Sequence, residues 1–164
     1  MTRALRLFAN VVAVVLFAAL ALPWPPAPAR GGEVANLYEG TFTPTVAGGT
    51  SAGTATYVFQ VGRYARVGNR VILQAAVSWN SGTGTGQQLV TGLPLALRNV
   101  SNDDTPCSIL ASSFTIGAGQ LSAAIASNES QVRIWVVASG SALAANAYDA
   151  AAVLYLQCTY EVAP

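Results

Sequence analysis

Tyr57-Val-Phe-Gln-Val-Gly-Arg-Tyr-Ala-Arg-Val-Gly-Asn-Arg-Val71 is the stretch that decides the fold class. Extended, β-branched and aromatic runs flank Gly68-Asn69. Two residues of this kind between such runs predict a tight hairpin turn, because both tolerate positive φ. Gly62 predicts a break between a strand over Thr54–Val61 and one over Arg63–Val67, and a further strand follows at Arg70–Trp79.

Outward from the hairpin, no helical periodicity is found after Gly32. Further candidate strands are Thr41–Val46, Gln88–Thr91, Cys107–Phe114, Leu121–Ala126, Gln131–Ala138 and Ala152–Val162, separated by clusters of Gly, Ser, Thr, Asn and Pro. Eight or nine short strands at this spacing predict an all-β protein, an antiparallel β-sandwich of jelly-roll type, formed by residues 33–164. Within Arg70–Trp79 one face presents Val71, Leu73, Ala75, Val77 and Trp79, and the other Ile72, Gln74, Ala76 and Ser78. Ala152–Val162 also carries apolar residues on both faces. A sheet wet on one side alternates cleanly, so a loop or a neighbouring subunit is expected to cover part of the second face.

Two further motifs accompany the hairpin: Gly40-Thr-Phe-Thr-Pro-Thr-Val46 upstream and Thr91-Gly-Leu-Pro-Leu95 downstream. In this order the three resemble the C-terminal β-domain of tailed-phage tail fibres and receptor-binding proteins, over roughly Tyr38 to Val162. The resemblance implies a virion-surface fibre or spike protein, assembled as a homotrimer, that binds a host-surface receptor, most often polysaccharide. It also implies attachment to other virion proteins through the N-terminal segment. A purely structural fibre or head-decoration protein is the alternative, and a secreted or surface-anchored bacterial lectin-like protein is a third.

That third possibility comes from residues 1–32. Arg3 and Arg6 precede an apolar run from Leu7 to Leu22, interrupted by Asn10. Pro23-Trp-Pro-Pro-Ala-Pro-Ala29 follows. These features fit a signal peptide with a small-residue cleavage site, a membrane anchor, or a hydrophobic helix that seats the chain in a particle. The Pro-rich part is expected to be a stiff spacer.

Composition narrows the chemistry. The 164-residue chain is 52% hydrophobic and 9% charged, with eight Lys+Arg, seven Asp+Glu and a net charge of +1. No basic cluster suggests nucleic acid, whose capture rests on dense phosphate-neutralising charge. The absence of His removes the Ser-His-Asp and Cys-His arrangements, and two Cys without His cannot build a structural zinc site. Asp103-Asp104 is the one adjacent carboxylate pair. In Ser101-Asn-Asp-Asp-Thr105 it fits a turn better than the two opposed acids of a glycosidase, and Asn102 with these two acids is a weak calcium pattern beside a solvated loop. No enzyme activity, cofactor or metal is therefore expected.

Cys107 and Cys158 are either two buried thiols or a disulfide. Polar, Gly- and Asn-rich loops at Ser81–Gln87, Asn99–Pro106 and Gly140–Asn146 are the expected receptor contacts. Trp79 or Tyr148 would be the stacking platform, and Asn80, Asn102, Asp103 and Asn146 the hydrogen-bonding partners. Arg63, Arg66 and Arg70 are expected to be structural, their heads bonding carbonyls or an acid.

Overall fold

A computed structural model describes residues 37–116 and 119–164. The expected N-terminal hydrophobic helix and its spacer lie outside the described residues.

Ten strands form one antiparallel sheet. In chain order they are β1 (Leu37–Phe42), β2 (Thr45–Gly48), β3 (Ala55–Val67), β4 (Arg70–Gly82), β5 (Gln88–Thr91), β6 (Thr105–Ser112), β7 (Gln120–Ile125), β8 (Val132–Val137), β9 (Ala144–Ala145) and β10 (Ala152–Glu161). The sheet order is β1-β3-β4-β10-β6-β7-β8-β5-β2, with β9 on β8. The all-β antiparallel expectation is met, but the strands make one continuous curled sheet in place of two separate sheets. Pro44 explains the curl locally: it has no N–H to donate, so the extended run Thr41–Val46 breaks into β1 and β2. These two strands are the opposite edges of the sheet, yet only Thr43 and Pro44 join them. Side chains of β3 bridge that junction. Gln60 Nε2 donates to the Pro44 carbonyl at 2.8 Å, and the Val46 N–H donates to the Tyr57 hydroxyl at 2.8 Å.

Gly62 does not interrupt β3. It sits in the ladder opposite Ala75 and Phe42, and the Phe42 ring occupies the space where a Cβ would be, 2.6 Å away. The glycine here serves close packing of an aromatic ring. The hairpin β3–β4 closes through Gly68-Asn69, Val67 opposite Arg70. Gly68 has φ 58°, whereas Asn69 is not among the positive-φ residues. This corrects the expectation of two positive φ angles and matches the turn with Gly at its first central position. Arg66 Nε donates to the Gly68 carbonyl at 2.6 Å, which fits its expected structural role.

The core lies inside the curl. Val71, Leu73, Ala75, Val77 and Trp79 of β4 and Leu154, Leu156, Cys158 and Tyr160 of β10 face Ala123, Ile125, Val132, Ile134 and Val90 from the other half of the sheet. Alternate burial of β4 and β10 is the period-two pattern of strands with one face on a core. Cys107 and Cys158 lie directly opposite each other on β6 and β10, with Cα atoms 4.5 Å apart, and a disulfide joins them. That spacing is the one found at the closer, non-hydrogen-bonded pairs of an antiparallel ladder.

Candidate functional site

The three expected recognition loops do not form one surface. Ser81–Gln87 and Gly140–Asn146 come together at the end of the sheet where β4 finishes. Tyr148 N–H donates to the Gly86 carbonyl at 2.8 Å, Gln88 N–H to the Asn146 carbonyl at 2.8 Å, and Ser51 pairs with Thr85 beside them. Asn99–Pro106 lies at the opposite end, next to Glu161 and the Gly68 hairpin. β4 spans the distance between the ends with 13 residues, about 44 Å of strand.

The joined loop end is built around Tyr148. Its ring lies on Gly82 and Gly84, so close that a Cβ on Gly84 would fall 2.7 Å from it. Burial pushes the Tyr148 hydroxyl pKa upward. An open depression of about 460 Å³ is lined by Gly84–Gln87 and Ala145–Tyr148. Thr50, Ser51, Thr54, Thr83 and Thr85 line the neighbouring rim, mostly exposed, with Thr54 and Thr83 hydroxyls 3.3 Å apart. Hydroxyls, open backbone and one aromatic ring are chemistry suited to a polar, uncharged ligand.

Two residues expected to contact the receptor here are structural. Trp79 is 2% exposed; its indole N–H donates to the Asp149 carbonyl at 2.9 Å and its ring meets Phe114 edge-on at 5.9 Å. A buried indole needs such an acceptor, and this one leaves no free face for stacking. Asn146 is also 2% exposed. Its side-chain amide donates to the Ala147 carbonyl at 2.8 Å and to Asp149 Oδ2 at 3.4 Å. Buried Gln88 accepts the Asp149 N–H at 3.1 Å, and Asp149 accepts the Thr115 N–H at 3.1 Å. Polar groups taken from water must be paired in this way, and here the pairing anchors the loop to β5. Asn80 is exposed. It has no partner where β3 and β4 slip register, Thr56 facing Ser81 and Tyr57 facing Trp79. Such a bulge re-aims side chains near a strand end.

At the far end, Asn102 is an exposed turn residue with φ 61°. Asp103 accepts from Arg98 Nε at 2.7 Å, and Arg98 also pairs with Glu161. Asp104 Oδ1 accepts the Ser127 N–H at 3.2 Å. The two adjacent acids thus take part in a turn contact and an ion pair. Among the described residues no group of three or more His, Cys, Asp and Glu is arranged to hold a metal ion.

A surface absent from the expected site list is the outer face of β3, β4, β10 and β6. Val61, Ala76, Tyr155 and Leu110 stand side by side across these strands, and the next row toward the hairpin turn holds Thr41, Arg63, Gln74, Gln157 and Ser108. The sequence signal was present: Tyr155 and Gln157 occupy the positions of β10 that alternate with its core residues.

No family model matches this sequence, and no curated protein matches it. Among solved structures, the fold is similar to that of the Dettilon tailspike protein, known from a crystal structure. The match has a TM-score of 0.64 and 18% identity, covering 77% of this chain and 24% of the tailspike chain. The chain thus spans about a quarter of the length of that protein. At this identity the likeness establishes a shared fold.

Proposed function

We propose that this chain is a fibre- or spike-type protein of a phage virion, displayed at the virion surface, whose β-domain contacts a polysaccharide receptor on the host. The observation that carries this is the likeness of its fold to part of a phage tailspike chain. The hairpin, the Thr-Pro-Thr opening and the Gly-Leu-Pro strand end support the same trade. The receptor surface is the loop end built by Ser81–Gln87, Gly140–Tyr148 and the adjoining Gly48–Thr54, where hydroxyls and the Tyr148 ring face an open depression. Three copies are displayed together, so that weak sites act jointly through high effective concentration. We read the function as binding without catalysis; Asp103, Asp104, Glu129, Asp149 and Glu161 each make hydrogen bonds within the fold, which supports a structural use of these acids.

The test is binding of the full chain to an immobilised panel of bacterial lipopolysaccharides and capsular polysaccharides. Thr85→Ala combined with Tyr148→Ala, and separately replacement of residues 83–86 by Gly-Ser, should weaken any binding seen. Binding unchanged in both variants places the receptor site elsewhere. No binding across the panel or to host cells leaves a purely structural fibre or decoration protein as the better account.

A second reading has its own observation. The Cys107–Cys158 disulfide belongs to an oxidising compartment, which suits a secreted or surface-anchored lectin-like protein carrying a signal peptide. The mass of the mature chain separates the two: an intact Met1 in purified particles favours the virion, and cleavage after Ala29 favours secretion.

A further inference from the structure

We propose that the outer face of β3, β4, β10 and β6 is the surface through which one copy of this chain meets another. The proposal rests on the multi-copy reading above and assigns it a place. In-register pairing sets Val61, Ala76, Tyr155 and Leu110 in one row across four strands. Phe59 and Val153 stand in the adjacent row, and the Phe59 and Tyr155 rings lie 6.4 Å apart. Leu110 is 70% exposed, Val61 49% and Tyr155 46%. Scattered apolar residues at a surface are ordinary, but a contiguous apolar row in a sheet centre marks a contact surface.

Three features select a second copy as the occupant. The first is charge. The apolar rows and the neighbouring row of Thr41, Gln74, Gln157 and Ser108 include a single charged residue, Arg63. Loss of charge at the centre, more than hydrophobicity overall, distinguishes an interface from general surface. Gln74 and Gln157 amides each donate and accept, so they can pair with either kind of polar group on a facing copy. The second is area. Four strands about 4.8 Å apart and about seven residues long make a face of roughly 450 Å² in projection, a little over half of the ~800 Å² buried per partner in a standard interface before side-chain relief is added. The third is shape. An open hollow of about 470 Å³ runs along this row, lined by Val61, Ala76, Tyr155 and Leu110 and, beside them, by Gln74 and Gln157. A shallow apolar hollow of this kind receives apolar side chains from a second copy.

Size-exclusion chromatography with light scattering on the full chain tests this. Leu110→Asp and Ala76→Arg should weaken association by about 30-fold or more, the effect of losing a central interface residue. Val100→Asp, at an exposed valine of the Asn99–Pro106 loop, should leave it unchanged. Circular dichroism checks that the variants fold. As a readout on the unaltered chain, hydrogen exchange at residues 108–112 and 153–157 should slow as protein concentration rises. If the folded variants associate like the parent, or exchange there ignores concentration while the parent is oligomeric, this face is not the contact and the multi-copy reading survives on another surface. A parent with the mass of one chain at every concentration overturns the proposal and the multi-copy reading together, leaving receptor binding to be judged on the polysaccharide panel. Should that monomer lose polysaccharide binding on Tyr155→Ala, the occupant of the face is a sugar.

Discussion

Gly68 shows how one backbone angle is separable from packing. Its φ of 58° lies in the left-handed region, yet a Cβ there would touch nothing within 4 Å. The cost of a side chain is therefore conformational alone. Gly68→Val should destabilise by about 1–2 kcal/mol or more, while Gly68→Asn should cost less, because Asn visits this region readily. Thermal melts of the two variants check this, and equal melting points would show that the turn does not need positive φ. Tyr160 supplies a pH prediction. It is buried with its hydroxyl donating to the Leu95 carbonyl at 3.0 Å, and burial pushes its pKa up to about 12 from 10.0. A raised folded-state pKa contributes stability that is fully present below the unfolded value and lost as pH rises through the folded one. Stability should therefore decline between pH 10 and about 12, and Tyr160→Phe should flatten that decline in denaturant titrations. Trp79 was legible in part. The alternation of β4 already put it on the same face as Val71, Leu73 and Val77, so its burial follows from the pattern and its expected stacking role did not. Trp79→Ala should cost about 3–5 kcal/mol, read by chemical unfolding, as a large core side chain does. A fully stable variant with impaired ligand binding would restore the stacking role.

Among the elements, the pairing of β6 with β10 is the one a covalent bond reinforces. The strands are 51 residues apart at their cysteines, and the disulfide joins them at directly opposed positions. In the chain-entropy account, closing a loop of about 50 residues contributes about 4 kcal/mol. Guanidinium unfolding with and without a reductant able to open the bond, or of Cys107→Ala with Cys158→Ala, should differ by up to that amount. An unchanged midpoint would mean that the β6–β10 ladder holds without the staple. Strand positions were largely readable. Gln88–Thr91 was placed to the residue, and most others to within two or three. The misses have local causes. β1 and β2 were read as one strand because a Pro within an extended run only marks an edge or a break, and the sequence does not say which. Gly62 was read as a break because its ring partner, Phe42, is 20 residues away in the chain.

At the scale of the molecule, β4 and β10 are paired on both sides and carry the core, while β1 and β2 are sheet edges. Native-state hydrogen exchange should be slowest at the centres of β4 and β10 and fastest in β1 and the loop end, since local opening follows buried contact. Comparable protection of β1 would mean that its free edge is covered. By itself the sequence determined the strand class, the hairpin at Gly68-Asn69, the core-facing halves of β4 and β10, and the apolar excess on their second faces. Each is encoded within a few residues, by side-chain period and by the backbone angles that Gly, Asn and Pro permit. Only the tertiary structure decided that the strands form one curled sheet, that Cys107 stands opposite Cys158, that two loops share one end while Asn99–Pro106 takes the other, and that Asn146 turns inward to Asp149. Those outcomes depend on which distant strands pair. That choice is made by burying all apolar faces and satisfying all buried polar groups at once, a condition no single segment contains.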